Sequence, residues 1–148
     1  MRKTEQVLSA LFARLQTLVG IPPDGTVVLR QADKSEAIPA GGLLILRDGS
    51  PGEPVETYMS PTTYIYEHVA TIEAFARGAT QPERAAALDA LIVPIAALFD
   101  ADRTLGGLCD DVREQAPEPD DVELEGAPTE AFAAVPIVLT YGTTSPLV

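Results

Sequence analysis

Residues 62–76 form the longest β-type segment of the chain and constrain its fold more than any other feature. Alternate residues of a strand point to opposite faces of a sheet, so the segment presents two sets of side chains. One face carries Tyr64, Tyr66, His68, Ala70, Ile72 and Ala74, and the other carries Ile65, Glu67, Val69, Thr71, Glu73 and Phe75. Neither set is wholly apolar. The pattern predicts a sheet with one face in the core and a second surface that is covered only on assembly.

The first half of the chain predicts one helix and two short strands. Apolar residues recur at helical spacing over residues 7–19, and the Gly-Ile-Pro-Pro sequence at 20–23 ends this amphipathic helix. Residues 26–30 and 42–47 predict short strands, although the first is hard to distinguish from an extended loop. The turn-forming residues 48–54 predict an exposed loop that joins the second run to the long strand as an antiparallel hairpin.

A second helix is predicted at residues 82–99. Thr80 or Gln81 lies near its cap, and Pro82 occupies the first helical position, where its missing N–H has no cost. Pro94 is expected to kink or divide the helix. The predicted buried stripe comprises Leu88, Leu91, Ile92, Ile95, Leu98 and Phe99.

The last third predicts a break at residues 105–108 and a short strand at 109–115. Residues 117–128 are acidic and rich in proline, which predicts a surface loop. A final strand is predicted at 133–141. Pro136 cannot donate a ladder hydrogen bond, so we expect this strand to lie at a sheet edge or to carry a bulge.

Length and composition predict one domain, residues 1–148, that needs neither a disulfide nor a metal to bury its core. The single cysteine, Cys109, forms no internal disulfide, which agrees with a reducing compartment. No apolar run approaches the roughly 18 residues of a membrane helix, and the first residues lack the pattern of a secretory signal. The sequence therefore predicts a protein that is made and kept in a cytoplasm, with no membrane partner.

The net charge of −12 at pH 7 is distributed unevenly: +2 on residues 1–47, −5 on 48–99 and −9 on 100–148. Nucleic-acid-binding proteins concentrate Lys and Arg against phosphates, and this chain does the reverse. Tight binding of DNA or RNA is excluded. A surface of like charge would instead let DNA pass without sticking.

No motif joins residues that could carry catalysis. His68 is the only histidine, and no sequence signal links it to Cys109, which would need a base to become a nucleophile. The glycine pairs at 41–42 and 106–107 predict turns and not phosphate-binding loops. No His or Cys spacing suits zinc. We therefore predict that the protein is not an enzyme and has no catalytic residue, no cofactor-binding residue and no cofactor.

The best metal candidate is the segment from Asp100 to Asp111, because Asp100 and Asp102 match the first and third positions of a calcium loop. The loop glycine falls one residue late, at Gly106, and position twelve is Asp111 where a glutamate is expected. These departures favour a helix end followed by a solvated loop, so no metal-binding residue is assigned. Two carboxylate pairs would need a pocket to act together: Asp110 with Asp111, and Asp120 with Asp121.

The order of these elements, with two of their segments, resembles the tail terminator (tail completion) proteins of long-tailed phages and phage-like particles. In that family an Asp-x-x-Leu-Gly-Gly region follows the second helix, and a final strand of the type apolar-apolar-x-Tyr closes the sheet. The matching segments are Asp-Arg-Thr-Leu-Gly-Gly at 102–107 and Val-Leu-Thr-Tyr at 138–141. The similarity spans nearly the whole chain, although Pro94 and the proline-rich loop at 49–54 depart from the pattern.

This resemblance implies a single α+β domain with a mostly antiparallel sheet backed by two helices. It also implies a ring of identical subunits, commonly a hexamer, that caps the tail tube, stops tube polymerisation and provides the surface that joins the head. The implied partners are the tail tube protein and the head-tail connector or neck protein, and DNA passes through without specific binding. The implied location is the virion tail near the neck, after assembly in the bacterial host cytoplasm.

Two alternatives remain open at the level of sequence. One is a head-side neck or joining protein of similar fold. The other is a small α+β enzyme or ligand-binding domain, which a deep pocket around Tyr64, Tyr66 and His68 in an isolated monomer would favour.

Overall fold

The computed structural model describes residues 1–19, 25–32, 38–119 and 130–148. These residues form two helices and one sheet of seven strands: α1 (Lys3–Gln16), β1 (Val27–Arg30), β2 (Leu43–Ser50), β3 (Glu56–Met59), β4 (Thr62–Arg77), α2 (Gln81–Ala101), β5 (Asp111–Glu114), β6 (Glu118–Pro119) and β7 (Glu130–Thr143). The strand order is β1-β2-β4-β7-β5, with β3 also paired to β4 and β6 also paired to β7. β1 and β2 are parallel, and the other pairs are antiparallel. The predicted α+β class is confirmed, whereas the predicted helix stop at 20–23 lies outside the described residues.

The predicted long strand is confirmed as β4. It pairs with β7 along almost its whole length, from Tyr64 opposite Thr143 to Arg77 opposite Glu130. Aromatic and β-branched side chains favour strands because they pack well on a pleated surface, and both strands are rich in them. β4 and β7 therefore form the centre of the sheet.

Both helices pack on one face of the sheet, called the inner face below. α1 contributes Val7, Leu8, Leu11 and Leu15, and α2 contributes Leu91, Ile95 and Phe99. Alternate residues of the central strands complete this core, including Tyr66, Ala70, Ile72 and Ala74 from β4 and Val135, Ile137, Leu139 and Tyr141 from β7. The strand face that begins at Tyr64 thus belongs to the core, as predicted for one face of this strand.

The opposite face, called the open face below, carries no helix in the described parts of the chain. Near β1 and β2 it is covered by Ile38, which packs with Leu43 and Ile45. Towards β5 it remains uncovered, and Val69 on β4 is 44% exposed there. This part of the sheet is an exposed surface, and its coverage on assembly stays a prediction.

Pro94 does not divide α2, which runs without interruption from Gln81 to Ala101. The proline leaves the carbonyl of Ala90 without its helical donor. Ala90, Val93 and Pro94 are all exposed, so water can reach this turn of the helix and satisfy that carbonyl. At the other end, the Thr80 hydroxyl accepts the predicted capping bond from the Glu83 N–H.

Pro136 does not lie at a sheet edge, because β7 has β4 on one side and β5 with β6 on the other. The Pro136 carbonyl accepts a hydrogen bond from the Gln115 N–H, just after β5 ends. A strand residue directs its nitrogen and its carbonyl to the same side, so the proline nitrogen also faces the gap between β5 and β6. The strand does not lie at an edge, so that part of the prediction is wrong. The ladder is irregular at Pro136, however: three residues separate Glu114 from Glu118, and only two separate their partners on β7, so one extra residue lies opposite Pro136, as in a bulge.

Residues 48–54 do not form one exposed turn as predicted. β2 continues to Ser50, and its register with β4 shifts between Arg47 and Ser50. Pairing then resumes in β3, from Glu56 opposite Ile65 to Met59 opposite Thr62. The predicted antiparallel hairpin is therefore confirmed, but its turn lies at residues 60–61 and the strand β3 was missed.

Of the two strands predicted near the C-terminus, the first is shorter than predicted and the last is longer. The short strand at 109–115 is β5, and the final strand extends beyond 133–141 to form β7. Glu118 and Pro119, expected in a surface loop, pair with Ala134 and Ala133. The rest of the acidic segment, with the pair Asp120–Asp121, lies outside the described residues.

Candidate functional site

The only histidine lies in a buried polar network. His68 is 1% exposed, its Nε2 contacts the Asp48 carbonyl oxygen, and its Nδ1 lies 2.9 Å from the Tyr141 hydroxyl. A carbonyl only accepts hydrogen bonds, so Nε2 carries the proton and the Tyr141 hydroxyl donates to Nδ1. The Thr4 hydroxyl, 3.0 Å from that of Tyr141, then donates to Tyr141. The network joins α1, β7, β4 and β2, and each of its side chains has a partner.

This network does not line a pocket of the kind that would favour a ligand-binding domain. Tyr66 and His68 are packed in the core, and Cys109 is buried in the same cluster. Burial raises the pKa of the Cys109 thiol to about 12. The thiol is therefore protonated at neutral pH and is a poor nucleophile.

Acidification is expected to destabilise the protein through His68. Burial is the main cause that lowers the pKa of His68 below its ordinary value of 6.5, although the hydrogen bond to the Asp48 carbonyl opposes it. Below pH 6.5 the unfolded chain therefore binds a proton that the folded chain resists. As the pH is lowered below about 6.5, the free energy of unfolding should therefore decrease, by at most about 1.4 kcal/mol per pH unit.

Denaturant unfolding at a series of pH values from about 7.5 to about 5 tests this expectation. The matched variant is His68→Gln, which offers one donor and one acceptor but does not titrate. The pKa of Glu5 is lowered to about 2, so the stability contributed by this carboxylate is lost mainly at lower pH. A wild-type profile as flat as that of His68→Gln would contradict the assignment.

Arg30, at the end of β1, holds α1 and β2 together beside this network. Its guanidinium donates to both carboxylate oxygens of Glu5, each at 2.9 Å, and to both of Asp48, at 2.8 and 3.0 Å. The hydrogen bond from Arg30 is the main cause of the low pKa of Glu5. These paired, bidentate contacts fix the orientation of α1 on the sheet.

In the segment considered above as a calcium loop, the Asp102 carboxylate is hydrogen-bonded by the segment's own backbone. Asp102 accepts hydrogen bonds from the backbone N–H groups of Thr104 and Gly106, at 2.8 and 2.9 Å, and from Arg14 at 2.6 Å. The bond from the Thr104 N–H is the main cause that lowers the pKa of Asp102 below its ordinary range. Within the ranges that the structure describes, no three potential metal ligands are grouped.

The hairpin of β3 and the start of β4, residues 56–65, is called the arm below. All four residues of β3 are exposed, and Tyr58 and Met59 are 55% and 79% exposed. The preceding residue, Val55, is 52% exposed. Large apolar side chains held in water on a regular strand are candidates for contact with a partner.

The outer edge of β3 differs from the other sheet edges. On β5 the Val112 carbonyl accepts a bond from Arg103 at 2.9 Å, and on β1 the Val28 carbonyl accepts one from Gln16 at 3.5 Å. In the parts of the chain that the structure describes, no side chain is bonded to the β3 backbone. An uncovered strand edge is available for contact with another chain.

The uncovered part of the open face has a small apolar centre and charges of both signs. Val69, which is 44% exposed, and Val138, which is 5% exposed, are cross-strand neighbours at this centre, and Arg113 lies opposite Val138 on β5. Two arginines and four acids surround them: Arg47, Arg113, Glu67, Glu73, Asp111 and Glu118. The net charge of these six side chains is therefore −2, a small part of the −12 of the chain.

Arg113 is loosely paired. Its guanidinium nitrogens lie 3.9 Å from Glu67 and 3.5 Å from Asp111, and its side chain is 56% exposed. In contrast, Arg47 contacts Glu73 at 2.5 Å on the same face. A guanidinium has five N–H donors, so Arg113 retains donors for another carboxylate.

No pattern in the sequence indicated Tyr58, Met59 or Arg113 as functional residues. The available signal was the run Glu56-Thr57-Tyr58-Met59, which is short and mixed in polarity. Only its pairing with β4 identifies it as a strand.

No model of a known protein family matches the sequence. A search of curated proteins gave no match either. Neither helix in the described part of the chain is long and apolar enough to cross a membrane. The assignment of function therefore depends on the sequence pattern and on the surfaces described above.

Proposed function

We propose that this chain is a structural protein of a phage or phage-like tail. Identical subunits form a ring, with six as the expected number, that caps the tail tube and stops its polymerisation. The ring also provides the surface that joins the head, through a connector or neck protein. Its location is the virion tail near the neck, after assembly in the bacterial host cytoplasm.

The observation that carries this proposal is the presence of two different uncovered surfaces on one sheet, the arm and the open face. A ring of more than two subunits needs head-to-tail contacts, in which each subunit offers two unlike surfaces. The arm offers exposed apolar side chains on an uncapped strand. The open face offers a sheet surface without a helix among the described residues.

The charge of the chain supports the same function. In a ring of subunits that each carry −12, a channel lined by part of this excess charge would repel DNA. Charges are screened over roughly 8 Å at physiological salt, so the repulsion of DNA phosphates acts close to the channel wall. DNA would pass through such a ring without being bound.

Electron microscopy of particles made with and without this chain tests the function. We expect a ring at the head-proximal end of the tube in complete particles, and tubes of uncontrolled length when the chain is missing. Adding the purified protein to such preparations should cap the tubes and allow heads to join. A ring on the head side alone would assign the chain to the neck, and a strict monomer in solution and in the particle would remove the ring proposal.

A further inference from the structure

We propose that the arm of one subunit packs against the open face of the next copy of this chain. Tyr58 is the central apolar contact, and Glu56 pairs with Arg113 across the interface. This inference rests on the ring proposed above and states which surfaces form it.

Charge selects the open face as the place where two copies can meet. Two chains that each carry −12 repel one another at most orientations. The uncovered open face carries −2, because Arg47 and Arg113 offset two of its four acids. Two copies that meet at this face therefore bring fewer like charges together than two copies that meet at a more acidic surface.

Apolar contact supplies the driving force at this surface. Val69 is 44% exposed on the open face, and Tyr58 is 55% exposed on the arm. Tyrosine is enriched among the residues that dominate interface energies, because it buries a large area with few rotatable bonds. Covering Tyr58 with Val69 and its neighbours would remove both apolar surfaces from water.

Charge complementarity fixes the direction of the contact. Glu56 is exposed on the arm, where one of its oxygens accepts a bond from the Tyr58 hydroxyl at 2.7 Å. Arg113 is exposed on the open face and is only loosely paired within its own chain. Across the interface, the Glu56 carboxylate would therefore pair with the Arg113 guanidinium, next to the apolar contact made by Tyr58.

Tyr58 lies on the same sheet face as Val69 but beside the start of β4. Each copy can therefore give its arm to one neighbour and its open face to another, which is a head-to-tail contact. Such contacts generate rings when the rotation closes, whereas a contact of the arm with another arm would end at a dimer. The proposal therefore predicts closed oligomers and not simple dimers.

Charge exchange tests the interface. Glu56→Arg and Arg113→Glu are each expected to weaken self-association by about tenfold or more, because each places like charges in contact. The double variant restores the pair with its sign reversed and should recover most of the wild-type association. Light scattering and sedimentation over a concentration series measure the effect, with circular dichroism as a check of folding.

Asp89→Arg is the matched control for Glu56→Arg. Asp89 is exposed on α2, away from both surfaces, and its replacement changes the net charge of the chain by the same amount. This control should associate as the wild type does, or slightly more tightly. If both single variants assemble like the wild type, or the double variant is no better than the weaker single variant, the proposed interface is wrong and the ring is not affected.

Cysteine trapping covers the case of weak association. Tyr58→Cys combined with Val69→Cys should give a ladder of disulfide-linked oligomers under oxidation, whereas either change alone stops at dimers. If the wild type forms rings but the double variant gives no ladder, the proposed interface is wrong and the proposed ring is unaffected. A monomeric wild type in solution and in the particle, with no ladder, would overturn both the interface and the proposed function.

Discussion

Replacing Gly49 by alanine is expected to destabilise the protein by about 3 kcal/mol or more. Gly49 lies where the register of β2 shifts against β4, and its φ is +65°. A Cβ at this position would lie 1.9 Å from the Val69 carbonyl oxygen, which belongs to the central strand and cannot easily move. Both the backbone conformation and the contact therefore oppose any side chain at this bulge.

Gly52→Ala is the matched control. Gly52 has almost the same φ, +66°, but a Cβ there would have no neighbour within 4 Å. Its replacement should cost only the conformational term, about 1 to 2 kcal/mol. Equal losses for the two variants in denaturant unfolding would show that the close approach of Gly49 to Val69 does not matter.

Phe99→Ala is expected to lower the unfolding free energy by about 3 to 5 kcal/mol. Phe99 is 1% exposed and is among the largest fully buried side chains of the core between α2 and the inner face. Its removal loses apolar burial and leaves a cavity that the surrounding strands cannot close. Urea or guanidinium unfolding measures the loss as a shift of the midpoint.

Val93→Ala, on the same helix, provides the comparison. Val93 is 67% exposed and points away from the sheet, so truncation should change stability by less than about 0.5 kcal/mol. Alanine also has the higher helix propensity, which offsets part of any lost contact. If the two alanine variants lose similar amounts of unfolding free energy, α2 packs on the sheet with a different face from the one described here.

The elements that could be predicted from sequence are those whose pattern is local. The long strand at 62–76 became β4, and the predicted stripe of α2 was confirmed in Leu91, Ile95 and Phe99. In these segments the apolar side chains recur at the period of a helix or strand, so neighbouring residues carry enough information.

The errors concern properties that depend on distant neighbours. Pro136 is acceptable in an interior strand because its nitrogen faces the gap between β5 and β6, and only the sheet order shows this gap. β3 is four residues long and fully exposed, so pairing and not burial defines it. A sequence pattern based on polarity therefore had little to detect.

The buried network was also beyond the reach of a local pattern. His68 suggested a strand residue with no catalytic partner, which agrees with its place in β4. Its hydrogen-bond partners, Asp48 and Tyr141, come from two other elements. Thr4, which extends the network from a third element, is separated from Tyr141 by 137 positions in the chain. The ring nitrogens of His68 are hydrogen-bonded by residues that are distant in sequence, so no rule based on residue spacing could identify these partners.

The continuous pairing of β4 with β7 also determines how the subunit responds to force. The arm and the core share β4, so tension applied at the arm along the strand acts in shear on the ladder with β7. This ladder has fourteen register pairs, and its hydrogen bonds lie perpendicular to the strands. They resist such tension together, whereas the four-residue ladder of β5 would open one bond at a time when peeled from its end. The subunit should therefore resist tension from the arm into the core more strongly than it resists peeling of β5 from the edge of the sheet.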